Sequence, residues 1–301
     1  MKLLMISNDK NILDPQSAVA LRQIEYAKEF EEVHILLRGK AREMHLGQNV
    51  WVYCSWWRYG LARFLLKTRN ITHVTCQDPF ENGLIGVLLK KRHPLHLELQ
   101  IHTDIGSPYF QNENIKNKIR TYLAKYTLSY ADHVRVVSNK IKEYITRYVD
   151  QDKIEVRPIA VDVSTIKDAL ITVDLHKEFP GKKILLCISR LEKEKRVDMA
   201  IEAVRQLKNV HLVIVGDGSQ RRLLEKKAIG LPVSFFGWRK DTASFYKTAD
   251  IFINTSLYEG YGMTLAEAHA AGLKILSTDV GVAKDVGSTI IQNIDDIIQN
   301  I

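Results

Sequence analysis

The sequence has only three cysteines and no long hydrophobic run. Cys54, Cys76 and Cys187 are odd in number and widely spaced, and two of them stand inside apolar runs. This pattern predicts small core residues rather than disulfides or metal ligands. No segment reaches the ~18 apolar residues of a spanning helix, and the four apolar residues after Lys2 are too few for a signal peptide. We therefore expect a cytoplasmic protein.

Motifs of several common protein classes are also absent. There is no Cys/His cluster, and the only Asp-x-Asp, Asp150-Gln151-Asp152, precedes a predicted strand, which is the wrong edge of a sheet for an active site. Neither Gly-x-Ser-x-Gly nor a P-loop occurs, which disfavours serine hydrolases and P-loop NTPases. The sequence has no RRM, KH or helix-turn-helix signature. We predict no metal, no cofactor and no nucleic-acid partner.

What is present is an ordinary globular composition with an excess of positive charge. The 301 residues, 46% of them hydrophobic and 26% charged, are enough for two packed cores. The net charge is +8, and residues 1–170 supply +6 of it, with 25 Lys or Arg against 19 Asp or Glu. Such a bias suits an anionic membrane surface, a phosphorylated substrate or nucleic acid, and net charge alone does not choose among them.

Short β-rich runs alternate with helical patterns along almost the whole chain, which indicates βαβ units and parallel sheets. A polar stretch that includes Pro180-Gly181 interrupts this rhythm and predicts a linker. We therefore predict an α/β protein with two doubly wound Rossmann-like domains, at residues 1–162 and 181–301, joined by a linker at 163–180. The predicted strands are 2–6, 33–37, 50–53, 73–76, 95–101, 133–137, 153–157, 183–188, 211–215, 233–236, 251–254 and 274–277.

Parallel sheets bind ligands beyond the carboxyl ends of their strands, so the residues that follow each strand are the candidates for a site. After strand 251–254 come Glu259-Gly260-Tyr261-Gly262-Met263 and then a helical run that contains Glu267. Two glycines beside a helix start let a phosphate approach free N–H groups, and the Glu267 carboxylate can accept hydrogen bonds from a ribose diol. A loop that merely uses glycine to enter a helix is an equally good interpretation of these residues alone.

Two cations follow the strand 183–188. Arg190 and Lys195 are five positions apart and could clamp a diphosphate, neutralising the charge of a departing group. Taken alone, a solvated charge run that opens a helix is the commoner explanation of such residues.

Two weaker candidates follow other strands. Gly216-Asp217-Gly218 lies between an apolar strand and a helix but lacks the dinucleotide fingerprint, so it is either a tight turn or a loop that faces a base or diphosphate. His102 ends the strand 95–101 and is placed to hydrogen-bond a substrate oxygen, although a lone histidine is more often structural.

Together these residues resemble the glycosyltransferase family 4 group of retaining enzymes with the GT-B fold. Weaker likeness extends through the first domain, in Gln77-Asp78-Pro79-Phe80, His102, and Ala131-Asp132 with Val137-Ser138. The motifs of the second half fall in family order: Arg190-Leu191-x-x-x-Lys195, Val215-Gly216-Asp217-Gly218, Phe236-Gly237, Tyr246 with Ala249-Asp250, and Ser256-x-x-Glu259-Gly260-Tyr261-Gly262 followed by Glu267.

The resemblance implies two domains that face each other across a cleft. It also implies a metal-independent transfer of a sugar from a nucleotide-sugar donor to a glycan or glycolipid acceptor. The anomeric configuration would be retained in a front-side displacement that needs no enzymic nucleophile. By the same resemblance the catalytic residues are His102, Arg190, Lys195 and Glu259, and the donor-binding residues are Gly216, Asp217, Gly218, Gly260, Tyr261, Gly262, Met263 and Glu267. Among them, Arg190 and Lys195 would bind the diphosphate, and Glu267 the ribose.

Two features depart from the family pattern. Family members usually have a glycine-bearing loop after the first strand, whereas Ser7-Asn8-Asp9-Lys10-Asn11 has no glycine. This difference weakens the expectation of phosphate contacts at the acceptor side. The C-terminus is shortened, since the sequence given stops at Ile301 where family members continue through helices that cross back to the first domain. The alternative hypothesis is therefore a non-catalytic nucleotide-sugar-binding or partner subunit with the same fold.

Two basic segments with aromatic residues stand in the first half. Either could rest on anionic lipid at the inner face of the membrane, as in family members that glycosylate lipid-linked acceptors. An ordinary helix with its aromatic residues in the core is an equally good interpretation. One segment holds Trp56-Trp57-Arg58-Tyr59 with Arg63, Lys67 and Arg69, and the other holds Lys116, Lys118, Arg120 and Lys125 with Tyr122 and Tyr126.

Overall fold

A computed structural model describes all residues from 1 to 301 and divides the chain into two compact units. The first unit contains Met1–Val137 and Ile141–Arg157, and the second contains Ser138–Lys140 and Pro158–Ile301. The segment 163–180, predicted as a linker, contains two short helices inside the second unit.

The first unit alternates strands and helices from its first residue. Its strands are β1 (Lys2–Ser7), β2 (Glu32–Leu37), β3 (Arg42–Gly47), β4 (Val50–Cys54), β5 (His73–Cys76), β6 (His96–Ile101), β7 (His133–Val136) and β8 (Ile154–Val156). Its helices are α1 (Ala18–Ala27), α2 (Arg58–Arg69), α3 (Glu81–Lys90), α4 (Pro108–Glu113), α5 (Ile115–Leu128) and α6 (Asn139–Ile145), with 3-10 turns at Lys10–Leu13 and Gln151–Lys153.

These eight strands form one sheet in the order β3-β4-β2-β1-β5-β6-β7-β8, in which only the β3–β4 pair is antiparallel. Alternate residues along β1 face opposite sides, so Leu3 and Met5 join the core that includes Ala20 of α1. Helix α3 packs on the other side, where Gly86 lies against Cys76 and Leu97. Helix α3 also contacts both α2 and α5. Helices therefore cover both sides of the sheet, as a doubly wound topology requires.

Two elements of the first unit differ from the prediction. Strand β3 was not predicted, because half of its residues are exposed at the edge of the sheet and its hydrophobic alternation is limited to Met44 and Leu46. The helical pattern of residues 111–130 predicts one helix, but the structure has two, because Asn114 adopts an extended backbone between them. The Asn114 side chain accepts a hydrogen bond from the backbone N–H of Asn117 and so caps the second helix.

The second unit repeats the alternation with a smaller sheet. Its strands are β9 (Lys183–Ile188), β10 (Val210–Val215), β11 (Val233–Gly237), β12 (Ile251–Asn254), β13 (Lys274–Ser277) and β14 (Thr289–Ile290). Its helices are α7 (Val163–Lys167), α8 (Leu175–Glu178), α9 (Val197–Val204), α10 (Arg221–Ala228), α11 (Thr242–Thr248), α12 (Met263–Ala270) and α13 (Ile294–Asn300), with a 3-10 turn at Lys193–Lys195.

All six strands of this sheet are parallel, in the order β11-β10-β9-β12-β13-β14. Successive residues of β9 enter two separate cores, since Leu185 packs with α9 and Leu186 packs with α11 and α12. The sequence prediction missed β14 and α13. Strand β14 pairs with β13, and α13 buries Ile297 against α9, so both elements belong to the packed unit.

The α/β class and most strand bounds were predicted correctly. The prediction that the three cysteines are small core residues is also confirmed. All three thiols are free and buried. Burial raises the pKa of the Cys187 thiol to about 11. None of the helices is both long and apolar enough to span a bilayer.

The loop at Gly216 lies very close to the loop at Ser189 in the second unit. The φ of Gly216, +134°, is rare for any residue with a side chain, and an added Cβ would lie 1.9 Å from the carbonyl oxygen of Ser189. Gly230 also has a positive φ, of +77°, but has open space around it. We expect Gly216→Ala to lower the free energy of unfolding by about 3 kcal/mol or more, and Gly230→Ala by about 1 kcal/mol. Urea denaturation measures both values, and equal losses would contradict the close approach.

Candidate active site

The strand order of the second sheet reverses between β9 and β12, which leaves a crevice at the carboxyl ends of these two strands. The loops that follow the two strands are joined to each other there. The Thr255 hydroxyl donates to the carbonyl oxygens of Lys195 and Arg196, at 2.9 Å each, and the backbone N–H of Leu257 donates to Glu194. The two motifs that the sequence places 64 residues apart therefore form one structure.

Lys195 and Glu259 form an ion pair at this position. The Lys195 Nζ lies 2.6 Å from Glu259 Oε1, and only 10% and 19% of the two side chains are exposed. The Ser256 hydroxyl lies 2.8 Å from the same carboxylate oxygen and 2.7 Å from Asn254 Oδ1. The ammonium and the carboxylate are thus both held in fixed positions, which is the arrangement that electrostatic stabilisation of a charged group needs.

Arg190 is placed differently from Lys195, although the sequence suggested one joint clamp. Its side chain is 73% exposed, and NH2 lies 3.1 Å from Glu194 Oε1. The guanidinium is therefore free to reorient toward a ligand, whereas the Lys195 ammonium is fixed.

Gly216, Asp217 and Gly218 form a loop that packs against the segment after β9. An added Cβ at Gly218 would lie 2.5 Å from the carbonyl oxygen of Leu191, whose N–H donates to the carbonyl of Asp217. The Asp217 carboxylate accepts from Arg221 at 2.8 Å. Its pKa is lowered first by the backbone N–H of Gly218 and then by the Arg221 guanidinium. Both glycines therefore have a packing role that holds the loop carrying Arg190 and Lys195.

The segment from Glu259 leads into the start of helix α12. Gly262 caps this helix with a φ of +88°, and no side chain accepts a hydrogen bond from the first amides of the helix. The carbonyl of Tyr261 accepts from the N–H of Val282, and Gly281 lies so close that an added Cβ would be 2.1 Å from this oxygen. The helix start is thus fixed from behind, with its positive dipole end available to an anion near Gly260 and Met263.

Glu267 lies one turn into α12 and lines a cavity of about 220 Å³ in the second unit. The hydroxyl of the buried Tyr246 donates to Glu267 Oε2 at 2.8 Å. Burial raises the pKa of Glu267 above its ordinary value, while the Tyr246 hydrogen bond opposes that rise. The rest of the cavity wall is Ala160, Val161, Asp162, Thr165, Ile166, Lys240, Thr242, Ala243 and Met263.

Tyr246 and Ser256 belong to the family motifs of the sequence, but the resemblance predicts no role for either residue. The structure shows that they hold the two predicted carboxylates, Glu267 and Glu259. For Ser256 the three-residue spacing to Glu259 could have indicated the contact, because both lie in one short loop. Nothing in the sequence indicates the contact of Tyr246, which comes from a different helix.

His102 belongs to the first unit, directly after β6. Its Nε2 lies 3.3 Å from Gln100 Oε1, and desolvation, followed by the positive charge of Arg135, lowers its pKa. The histidine is therefore neutral at neutral pH and able to hydrogen-bond. Its predicted role at the donor sugar stays a prediction.

The first sheet has its own reversal of strand order, between β1 and β5. Side chains from the two loops meet there, since Ser7 bonds to Gln77 and Asn8 to Asp78. Arg58, which is 7% exposed, donates to Asn8 Oδ1 at 3.2 Å. The glycine-free loop after β1 is thus held by side-chain hydrogen bonds.

Comparison with known proteins covers both halves of the chain. Residues 182–301 match the family Glycosyl transferases group 1, and residues 25–165 match Glycosyltransferase Family 4. The chain is 24% identical over 239 residues to the alpha-monoglucosyldiacylglycerol synthase of Streptococcus pneumoniae, which covers 73% of this chain and 54% of that protein. It is also 24% identical over 290 residues to a GDP-mannose-dependent alpha-(1-6)-phosphatidylinositol dimannoside mannosyltransferase of Mycobacterium tuberculosis, with coverages of 85% and 73%.

The chain spans about half the length of several of the curated relatives it matches, the synthase among them. Among solved structures it resembles Anabaena HepE in complex with UDP, with a TM-score of 0.75 at 17% identity, over 100% of this chain and 88% of that one. A likeness at this identity shows the fold. Since family matches cover both halves and the fold is shared along the whole chain, this protein belongs to the group 1 glycosyltransferases of family 4 and has the GT-B fold.

Proposed function

We propose that this protein transfers a sugar from a nucleotide-sugar donor to a glycan or glycolipid acceptor, with retention of anomeric configuration. The observation that carries this proposal is the cavity of the second unit, where the half-buried Glu267 carboxylate lies one turn beyond an open helix start. The relatives support the reaction class, because their names describe glycosyl transfer to lipids, and HepE binds UDP.

The donor would bind through three kinds of contact within the second unit. The ribose hydroxyls would donate to Glu267, whose half-buried carboxylate accepts only the Tyr246 hydroxyl in the free protein. The diphosphate would accept from the backbone N–H groups at the start of α12. Lys195, and Arg190 after reorientation, would neutralise the negative charge that grows on the leaving phosphate, and we propose no metal for this role.

Retention fits a front-side displacement at the sugar carbon. In that step the bond between this carbon and the leaving phosphate oxygen breaks as the acceptor oxygen bonds on the same face. The acceptor proton passes to the leaving phosphate. Glu259 does not act as a nucleophile in this scheme, because its carboxylate is bonded to Lys195 and Ser256. Its role is to hold the ammonium at the phosphate and to contact the sugar.

Two experiments in sequence test the proposal. The first screens UDP-, GDP- and ADP-sugars for thermal stabilisation of the protein, and the second assays transfer to glycan and lipid-linked acceptors. We expect one nucleotide class to raise the melting temperature and the product to keep the anomeric configuration of the donor, as read by proton NMR. Absence of stabilisation by any of them would contradict the proposed donor site. Binding without transfer or donor hydrolysis would favour a non-catalytic subunit instead, and an inverted product would exclude the front-side scheme.

Lys195→Gln tests the electrostatic role of the fixed ammonium. The amide can still donate to Glu259 but carries no charge for the leaving phosphate. We expect kcat/KM for transfer to fall about 10²- to 10³-fold, with the fold intact by circular dichroism. Lys193→Gln is the matched control, because Lys193 is an exposed member of the same turn and should change the rate less than about twofold. Equal effects of the two changes would exclude a specific role for Lys195.

At pH 7, Glu267→Gln should change the stability of the protein and its nucleotide affinity in opposite directions. Because burial raises the folded-state pKa of Glu267, its ionisation costs folding free energy once the pH exceeds the unfolded value of about 4.3. The variant should therefore be more stable than the wild type at pH 7 in urea denaturation, with the difference vanishing below about pH 4.

Nucleotide binding should respond in the opposite direction. Isothermal titration at pH 7 should show at least about tenfold weaker binding to Glu267→Gln, because an amide is a weaker acceptor than a carboxylate. Wild-type binding should also weaken as the pH falls through the raised pKa, and that dependence should be absent in the variant. Glu29→Gln, an exposed change in the first unit, should alter neither property.

A further inference from the structure

The outer surface of helices α2, α3 and α5 in the first unit combines exposed apolar side chains with cations that form no ion pair. Helix α3 contacts both α2 and α5, so the three helices form one layer over the sheet. We call this surface the basic aromatic face. Its exposed apolar side chains are Trp57, Phe64, Ile115, Ile119, Tyr122 and Tyr126, and the cations among them are Arg63, Lys67, Lys91, Arg92, Lys116, Lys118 and Lys125.

The apolar side chains lie on the wrong side of α5 for a helix that faces only water. Ile119 and Tyr122 are 61% and 73% exposed, and with Ile115 and Tyr126 they make a stripe with helical spacing. The side of the same helix that faces the protein buries Ala124 and Leu128 together with the polar Asn117, Thr121 and Thr127. The outer side therefore carries a second set of large apolar side chains, which is typical of a helix whose outer side meets an apolar environment.

Helix α2 presents the same combination beside α5. Trp57 and Phe64 are 76% and 60% exposed. The Trp57 ring lies across Gly60, where an added Cβ would be 2.5 Å from it. Arg63 and Lys67 line the shallow pocket next to these rings. Aromatic rings with cations at their edges are typical of side chains that sit at a membrane surface.

The cations of the face outnumber the carboxylates beside them. Helices α2 and α5 together contain eight Lys or Arg and no Asp or Glu. Of these, only Arg120 is in an ion pair, with Glu81 of α3. Burial, followed by the positive charges of Arg63, Lys67 and Arg92, lowers the pKa of His93. Lys91 lies 4.5 Å from the ring centre of Tyr130 and bonds to the Tyr126 hydroxyl.

We propose that the basic aromatic face is a membrane-binding surface for bilayers that contain anionic lipid. Lipid headgroups supply the negative charge that the face lacks, and the interfacial layer takes up the exposed rings and Ile side chains. A second copy of this chain would instead bring two positive surfaces together, which costs free energy. Nucleic acid would meet the cations but leave the apolar stripe in water.

Vesicle co-sedimentation of the full chain tests this surface without donor or transfer, so its outcome is independent of the proposed reaction. The probes are vesicles of equal parts phosphatidylglycerol and phosphatidylcholine, and vesicles of phosphatidylcholine alone. We expect binding to the mixed vesicles, suppression of it by salt, and little binding to the neutral vesicles. Equal binding to both kinds, or binding to neither, would overturn the proposal.

Two double variants test the charged and the apolar side chains of the face separately. Arg63→Gln/Lys67→Gln should weaken partition into the mixed vesicles about thirtyfold, which corresponds to two charges at about 1 kcal/mol each. Ile119→Ser/Tyr122→Ser should weaken it by at least tenfold, because both side chains would lose their insertion into the interface. Both pairs are exposed, and circular dichroism checks that the fold persists.

The matched control is Leu223→Ser/Lys226→Gln, which removes an exposed leucine and an exposed lysine from α10 of the second unit. It should bind mixed vesicles like the wild type. An equal loss in this control would show that general charge and hydrophobicity, not this face, cause binding. Light scattering gives a further check, since a dimer that Ile119→Ser/Tyr122→Ser dissociates would assign the face to a second copy and overturn the proposal.

Discussion

The reversal of strand order between β9 and β12 is the constraint on which the candidate active site depends. The chain winds outward in both directions from these two strands, so the loops at their carboxyl ends diverge and leave a crevice between them. Residues that follow β9 and residues that follow β12 are brought together there. Lys195 and Glu259 are the clearest example, because each alone would be a costly half-buried charge.

The glycines around this crevice allow the loops to pack closely against each other. Gly216 and Gly218 let the loop after β10 lie directly on the loop after β9, and Gly281 lets a third loop lie on the carbonyl of Tyr261. A side chain at any of these positions would push the loops apart. The positions of the Lys195 ammonium and of the helix start at Gly262 are therefore set by backbone packing, without any bound ligand.

The half-buried Glu267 illustrates how the requirements of binding and of stability oppose each other. A carboxylate with one hydrogen bond from Tyr246 and few other partners is unfavourable in the free protein, as its raised pKa indicates. The same lack of partners makes it a strong acceptor for the hydroxyls of a ligand. The outer side of α5 shows the same principle on a surface, since its exposed isoleucine and tyrosine side chains cost free energy in water that a partner surface can recover.

The sequence by itself determined the α/β class, most strand bounds and the family, because buried parallel strands read as short apolar runs and the site motifs are local. Even the open helix start at Gly262 could be predicted from Gly-Tyr-Gly before an apolar helix. Only the tertiary structure decided that Lys195 pairs with Glu259, that Tyr246 holds Glu267, and that α5 turns its apolar stripe outward. The physical reason is distance along the chain: the two pairings join residues 64 and 21 positions apart. The direction of a helix face likewise depends on what packs beneath it, which local pattern does not contain.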